Sequence, residues 1–198
     1  MESDEIEKQK CMKKIKIYVA VGALLSLGGV YYFRRAIRNN VRNMINGSYF
    51  TIDELCYSAT AKSQGIDITP SAEVRANLQA LITNMLDPIR AKYGEPITVS
   101  SGYRSERLNT AVGGVKNSQH LTGQAADLVG AHRTDAELAK IFKSAISVGG
   151  YDQLILEYGK NGSHWVHVSY DPKRNRREVL LYKNGKYTNI KSNWEKYV

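Results

Sequence analysis

Residues 153–182, QLILEYGKNGSHWVHVSYDPKRNRREVLLY, decide the fold. Three short runs rich in β-branched and aromatic residues, Gln153 to Tyr158, Trp165 to Tyr170 and Glu178 to Tyr182, are separated by turn-forming residues at Gly159 to Gly162. Asn184-Gly185 supplies another turn signal just beyond them. Such runs predict neighbouring antiparallel strands.

Upstream the apolar period lengthens from two to about 3.6. Val74, Leu78, Leu81, Ile82, Met85, Leu86 and Ile89 follow i, i+3, i+4, i+7 spacing, which predicts a long helix from about Ser71 to Tyr93 with one face to bury. Pro88 is expected to kink it or end its first part. A first helix, DELCYSATAKSQG, is expected after Thr51 or Asp53 as cap, with Gly65 as its stop. Pro96 to Ser100 reads as a short strand, Asp127-Leu128-Val129 as the start of another, and Asp135 to Val148 as a further helix. Helices first and strands after them give an α+β domain, with N-terminal helices packed on a small antiparallel sheet.

The chain before this domain has a different character. Residues 1–16 form a charged tail, and residues 17–33, IYVAVGALLSLGGVYYF, are uncharged. Their 17 residues are at the short limit for a membrane-crossing helix. Tyr18, Tyr31 and Tyr32 sit at its ends like an interfacial belt, so a single transmembrane or signal-anchor helix is expected, followed by a linker over 34–48. Five lysines precede the run and four arginines follow it, which leaves its orientation open. No small-x-small site closes it in the manner of a cleaved signal peptide.

The net charge of +9 raises the question of nucleic acid. Nine of the basic residues lie between Lys8 and Arg42 around the apolar run, and Lys173, Arg174, Arg176 and Arg177 form a second group. Neither group has interleaved aromatics for stacking bases, so no nucleic-acid partner is expected, and an anionic wall or membrane surface fits better. Cys11 and Cys56 lie on opposite sides of the apolar run, so the fold is expected to stand without a disulfide.

Chemistry concentrates in Ser118-Gln119-His120-Leu121-Thr122-Gly123-Gln124-Ala125-Ala126-Asp127 and in His164-Trp165-Val166-His167. Two imidazoles and a carboxylate can hold a zinc ion and leave a fourth position open, as a hydrolytic site requires. Gly123, Ala125 and Ala126 are small enough for the chain to turn between His120 and Asp127 without crowding. In an extended strand 165, 167 and 169 share one face and 164, 166 and 168 the other, so His164 and His167 do not both point at one metal. His167, in mid-strand, is the better placed.

The Ser-x-His-x-x-Gly-x-Ala-x-Asp pattern of 118–127, with the later Trp165-Val166-His167-Val168-Ser169, resembles the M15 zinc peptidases. The resemblance is to the subgroup related to D-alanyl-D-alanine carboxypeptidases and phage endolysins. It extends to Phe50 to Leu55, Leu86 to Arg90, Ser101 to Ser105 and Asp152 to Ile155, and covers about residues 49–182 of a domain placed at 49–198. It implies a hedgehog/DD-peptidase-like fold and one zinc ion held by His120, Asp127 and His167. Arg104 would anchor a substrate carboxylate or an oxyanion. Ser118 would hold the substrate or the ligand loop, and Tyr103 and Trp165 would be pocket walls or core.

Many relatives carry an acid three positions before the last histidine, and here that position is His164. Glu157, at a strand end facing back towards His167, is the first choice of general base, with His164 and Asp152 as alternatives. The expected function is a zinc peptidase that cuts peptidoglycan stem peptides or cross-links, as a D-Ala-D-Ala carboxypeptidase or an endopeptidase. A phage lysis enzyme or a host wall-remodelling enzyme fits, anchored by the N-terminal helix with its domain facing the wall in a periplasmic or extracellular setting. The alternative from another class is a wall-binding or virion module that keeps the fold without hydrolysis.

Overall fold

The computed structural model describes residues 48–198. The charged tail, the apolar run 17–33 and all but the last residue of the linker lie outside the described residues. Within them Phe50–Val198 forms one unit. It opens with helices α1 (Ile52–Leu55), α2 (Ala59–Gln64) and α3 (Ala72–Leu81), then a π-helical turn (Ile82–Leu86) and α4 (Asp87–Tyr93). Strand β1 (Ile97–Ser101), α5 (Glu106–Ala111), a 3-10 turn (Gln119–Thr122), β2 (Ala125–Gly130) and α6 (Asp135–Val148) follow. Strands β3 (Gln153–Tyr158), β4 (His164–Ser169), β5 (Glu178–Lys183) and β6 (Lys186–Asn189) lead to a last 3-10 turn (Trp194–Tyr197).

Alternation along the strands gives the sheet two unlike faces. Leu128, Leu154, Leu156, Val166 and Val168 are fully buried against the helices. Their neighbours Asp127, Ile155, Glu157, Trp165 and His167 line a cavity on the other side. The core is completed by Leu78, Leu81, Met85 and Ile89 from the α3–α4 rod and by Ile141 and Phe142 from α6. Helix α6 packs on β2, β3 and β4, and α4 packs on α6. A capping box of Thr134 and Glu137 starts α6 at the expected residue.

The expected first helix is broken in two. Thr51 Oγ1 accepts from the Glu54 N–H at 3.1 Å to cap α1, and Ser58 Oγ accepts from the Ala61 N–H at 3.2 Å to start α2 afresh. A mid-helix serine competes with the backbone, and here it wins. Gly65, at φ 58°, stops α2 where expected. The rod over 72–93 also differs from expectation: the irregularity lies one turn before Pro88. The Asp87 N–H donates to the Ile82 carbonyl, an i→i−5 bond, and Pro88 then occupies the first turn of α4, where its missing N–H costs little.

The sheet is six-stranded in the order β1-β2-β4-β3-β5-β6. Its neighbours are antiparallel except β3 and β5, which run parallel, so the expectation of a purely antiparallel sheet is corrected to a mixed one. The cause lies in residues 170–177, which leave β4 and pass across the end of β3 before β5 begins. Asp152, with no exposed surface, ties that crossing down. Its Oδ1 accepts from the Arg176 backbone N–H at 2.7 Å and from Arg176 Nε at 3.0 Å. Its Oδ2 accepts from Arg176 Nη2 at 2.6 Å and from Gln119 Nε2 at 2.9 Å. Asp152 is therefore committed to structure, which corrects its candidacy as a base, and Arg176, itself solvent-exposed, reaches from the turn to pair with it.

Burial by itself would raise the Asp152 carboxyl, but the hydrogen bonds from Arg176 and Gln119 outweigh it and bring it down to about 2. A depressed carboxyl contributes stability that is complete above its unfolded value of about 4 and is lost as pH falls through 2. The contribution is about 2 kcal/mol. Chemical denaturation across this window is expected to show Asp152→Asn lacking that acid limb, with neutral-pH stability lower by about the same 2 kcal/mol. A variant whose acid slope matches that of the unaltered chain would place the titrating group elsewhere.

Candidate metal centre

Asp127 on β2 lies directly opposite His167 on β4. Both side chains point away from the helices, and Asp127 Oδ1 lies 3.0 Å from His167 Nδ1. The third group arrives from the 3-10 turn: His120 Nε2 is 3.2 Å from the same oxygen. Ser118 Oγ accepts from the His120 N–H at 3.4 Å at the start of that turn, and Gly123 closes it at φ 70°. Only glycine suits position 123, because a Cβ there would also press on Val74 and Leu78. The His120 ring is aimed by the Gly102 carbonyl, 2.7 Å from Nδ1, which fixes the proton on Nδ1 and leaves Nε2 as the free donor.

His120, Asp127 and His167 are 3%, 5% and 7% exposed, and one ligand atom from each lies within 4.8 Å of the others. Two imidazole nitrogens and one carboxylate oxygen form the donor set of zinc rather than of calcium or magnesium, whose shells are all oxygen. The residues present fit the ion. Burial alone would raise the Asp127 carboxyl, but the two histidines, by charge and hydrogen bond, hold it far below the usual carboxylate range. It is ionised at any pH at which a metal would bind.

Arg104 stands beside this tripod, with Nη2 donating to Asp127 Oδ2 and Nε to Ser101 Oγ, each at 2.9 Å. The loop that carries it is held where α1 breaks, since the Tyr103 N–H donates to the Leu55 carbonyl at 2.7 Å. A Cβ on Gly102 would collide with that carbonyl, so glycine is required for the approach. Glu157 on β3 brings Oε1 to 4.0 Å from His167 Nδ1. Burial, the largest influence, and the Asp127 charge push its carboxyl up to about 7, against the pull of His167 and Arg104.

These groups line one open cavity of about 1410 Å³. Ser118 and Trp165 are among its walls, and the Trp165 Nε1 is buried without a protein partner. His164 also lines it, with Nδ1 turned to the Gly162 carbonyl at 3.4 Å and Asp135 at 3.7 Å and with Nε2 unpartnered. Tyr103 is not among the lining residues; it packs half-buried against the core. Sequence reasoning missed Gln119, which joins the ligand turn to Asp152, and the Gly102 carbonyl. The first was visible only as the residue between Ser118 and His120, and a backbone acceptor leaves no sequence signal.

An α+β sheet bearing a buried His-Asp-His tripod with a desolvated carboxylate at its edge defines a mononuclear metal site of the metallopeptidase kind. The chain belongs to the Peptidase M15 family, which matches residues 48–169. A stretch of 60 residues is 48% identical to the zinc D-Ala-D-Ala carboxypeptidase of Streptomyces albus G. That stretch is 29% of this chain and spans about a quarter, 23%, of the relative.

A carboxyl raised from about 4.3 to about 7 removes stability as pH climbs between those values, because the unfolded chain releases its proton first. In the metal-free protein above pH 7, Glu157→Gln is therefore expected to be more stable by about 3 kcal/mol, with no difference near pH 4. Urea denaturation in chelator at both pH values measures this. Equal stabilities at high pH would mean that Glu157 is not desolvated.

Proposed function

We propose that this chain is a zinc-dependent peptidase that hydrolyses the peptide part of peptidoglycan. The observation that carries the reading is the Glu157 carboxylate beside the His120-Asp127-His167 tripod in one shared cavity. Zinc, when bound, supplies Lewis acidity, polarising a carbonyl and lowering the pKa of a coordinated water towards ~7. Glu157 takes the proton from the attacking water and returns it to the leaving amine. Arg104 fixes the orientation of Asp127 and presents positive charge where the carbonyl oxygen becomes negative. The Trp165 and His164 side chains are further walls of the same cavity.

The substrate class rests on the similarity to the Streptomyces carboxypeptidase, whose name states a D-Ala-D-Ala substrate. A non-hydrolytic wall-binding module is the second reading, favoured by His164 at the position where relatives carry an acid. Glu157 answers that objection by supplying a carboxylate from the neighbouring strand, across from Trp165. The apolar run 17–33, flanked by lysines and arginines, supports a further part of the proposal: the domain is held at a membrane facing the wall. A phage or prophage lysis role is compatible with it.

The test is release of new amino or carboxyl groups from purified cell walls by the zinc-loaded chain. Chelator is expected to abolish release and zinc to restore it. Glu157→Gln is expected to lower kcat by about 10²–10⁴ while the bound zinc stays near one ion per chain. Full zinc occupancy with no group released would favour the binding module instead.

A further inference from the structure

The cavity does not stop at the metal tripod. It crosses the whole open face of the sheet, from Thr98 on β1 to Tyr187 on β6, with Asp127 and His167 on strands inside that span. Beyond β4 on one side lie β3, β5 and β6. The register continues the reactive row: Trp165 is opposite Glu157, Glu157 is beside Tyr182, and Tyr182 is opposite Tyr187. The rings of Tyr182 and Tyr187 lie 4.6 Å apart between centroids at 43°. The β5–β6 turn holds that pair rigidly, since Asn184 and Gly185 both adopt positive φ, 55° and 77°, as a tight two-residue hairpin demands.

The opposite rim also carries exposed apolar groups. Tyr57, from the break between α1 and α2, is 64% exposed, and Val112 and Val115 after α5 are 46% and 66% exposed. With Tyr187 at 52%, these line the same cavity on both sides of the metal tripod. Strands lie about 4.8 Å apart, so β6 is roughly 14 Å from β4, the length of about four extended peptide residues. Removal of a single terminal residue leaves one side of the scissile bond nearly empty. A groove with apolar footing on both sides fits a chain that continues in both directions.

We propose that the Tyr182–Tyr187 shelf is a substrate subsite about four residues from the scissile bond, and that the groove takes cross-linked peptides and cuts them internally. The proposal rests on the peptidase reading given above. The β5–β6 hairpin lies beyond residue 169, where the Peptidase M15 match ends. Each tyrosine ring offers apolar area for the stem-peptide backbone and aliphatic side chains at little entropic cost, with a hydroxyl at its tip for a carbonyl or carboxylate.

The experiment compares a cross-linked muropeptide dimer with a single stem peptide ending in D-Ala-D-Ala, using the zinc-loaded full chain. The unaltered protein is expected to turn the dimer into monomers with the higher kcat/KM. Tyr187→Ala and Tyr182→Ala are each expected to lower the dimer-over-monomer ratio of kcat/KM about tenfold, mainly through KM. Tyr182→Leu keeps the apolar bulk of the strand should the alanine variant fold poorly. Tyr197→Ala, exposed but outside the cavity, serves as the control whose ratio does not move. Ratios unchanged in the shelf variants, or release of free D-alanine as the main reaction, would overturn the proposal while leaving the peptidase reading intact. If the unaltered chain cuts neither probe, the peptidase reading fails, and calorimetric binding decides the shelf separately. Tighter binding of the dimer that is lost in Tyr187→Ala supports it, and equal binding of both probes refutes it.

Discussion

The Asp127 carboxylate is the point on which the site converges. One oxygen faces both imidazoles and the other receives Arg104, so a single buried anion orders three cationic or proton-bearing groups. Such an anion is tolerable only because its neighbours satisfy it, and each neighbour has its own anchor. His120 is aimed by the Gly102 carbonyl, Arg104 by Ser101, and His167 by its place in mid-strand. Gly102 thereby serves two needs, a carbonyl for His120 and room for the Leu55 backbone, and the break between α1 and α2 is part of the same arrangement.

A second buried carboxylate, Asp152, does for the fold what Asp127 does for the site. By gathering Arg176 from the crossing segment and Gln119 from the ligand turn, it couples the parallel β3–β5 pair to the position of His120. The crossing is what carries β5 past β3 and so sets the β5–β6 hairpin beside Glu157. Remove that crossing, and an ordinary hairpin would put β5 against β4, displacing the strand that carries Glu157.

Strong periodicity made the helices over 72–93 and 135–148 legible, and the short spacing of 118–127 with 164–167 made the His120-Asp127-His167 cluster legible. Alternation alone separated His167 from His164, because position 167 shares its face with Trp165 while Val166 and Val168 enter the core. What stayed hidden depends on contacts between distant residues. The parallel pairing is accompanied by a salt bridge between residues 152 and 176, which a strand pattern does not encode. Tyr103 reads equally as wall or core until its backbone is tied to Leu55. The split of the first helix was signalled by Ser58, a better cap than helix interior, but the apolar spacing of Leu55 and Ala59 concealed it.

The tripod and Glu157 form one electrostatic unit. Without a cation, Asp127 and Glu157 are two carboxylates on the same desolvated face, and the protein resolves the conflict by letting Glu157 keep its proton up to about 7. A divalent ion held by His120, Asp127 and His167 would reverse that preference, because a nearby positive charge favours the ionised form of both acids. Ion binding and loss of the Glu157 proton would then be linked.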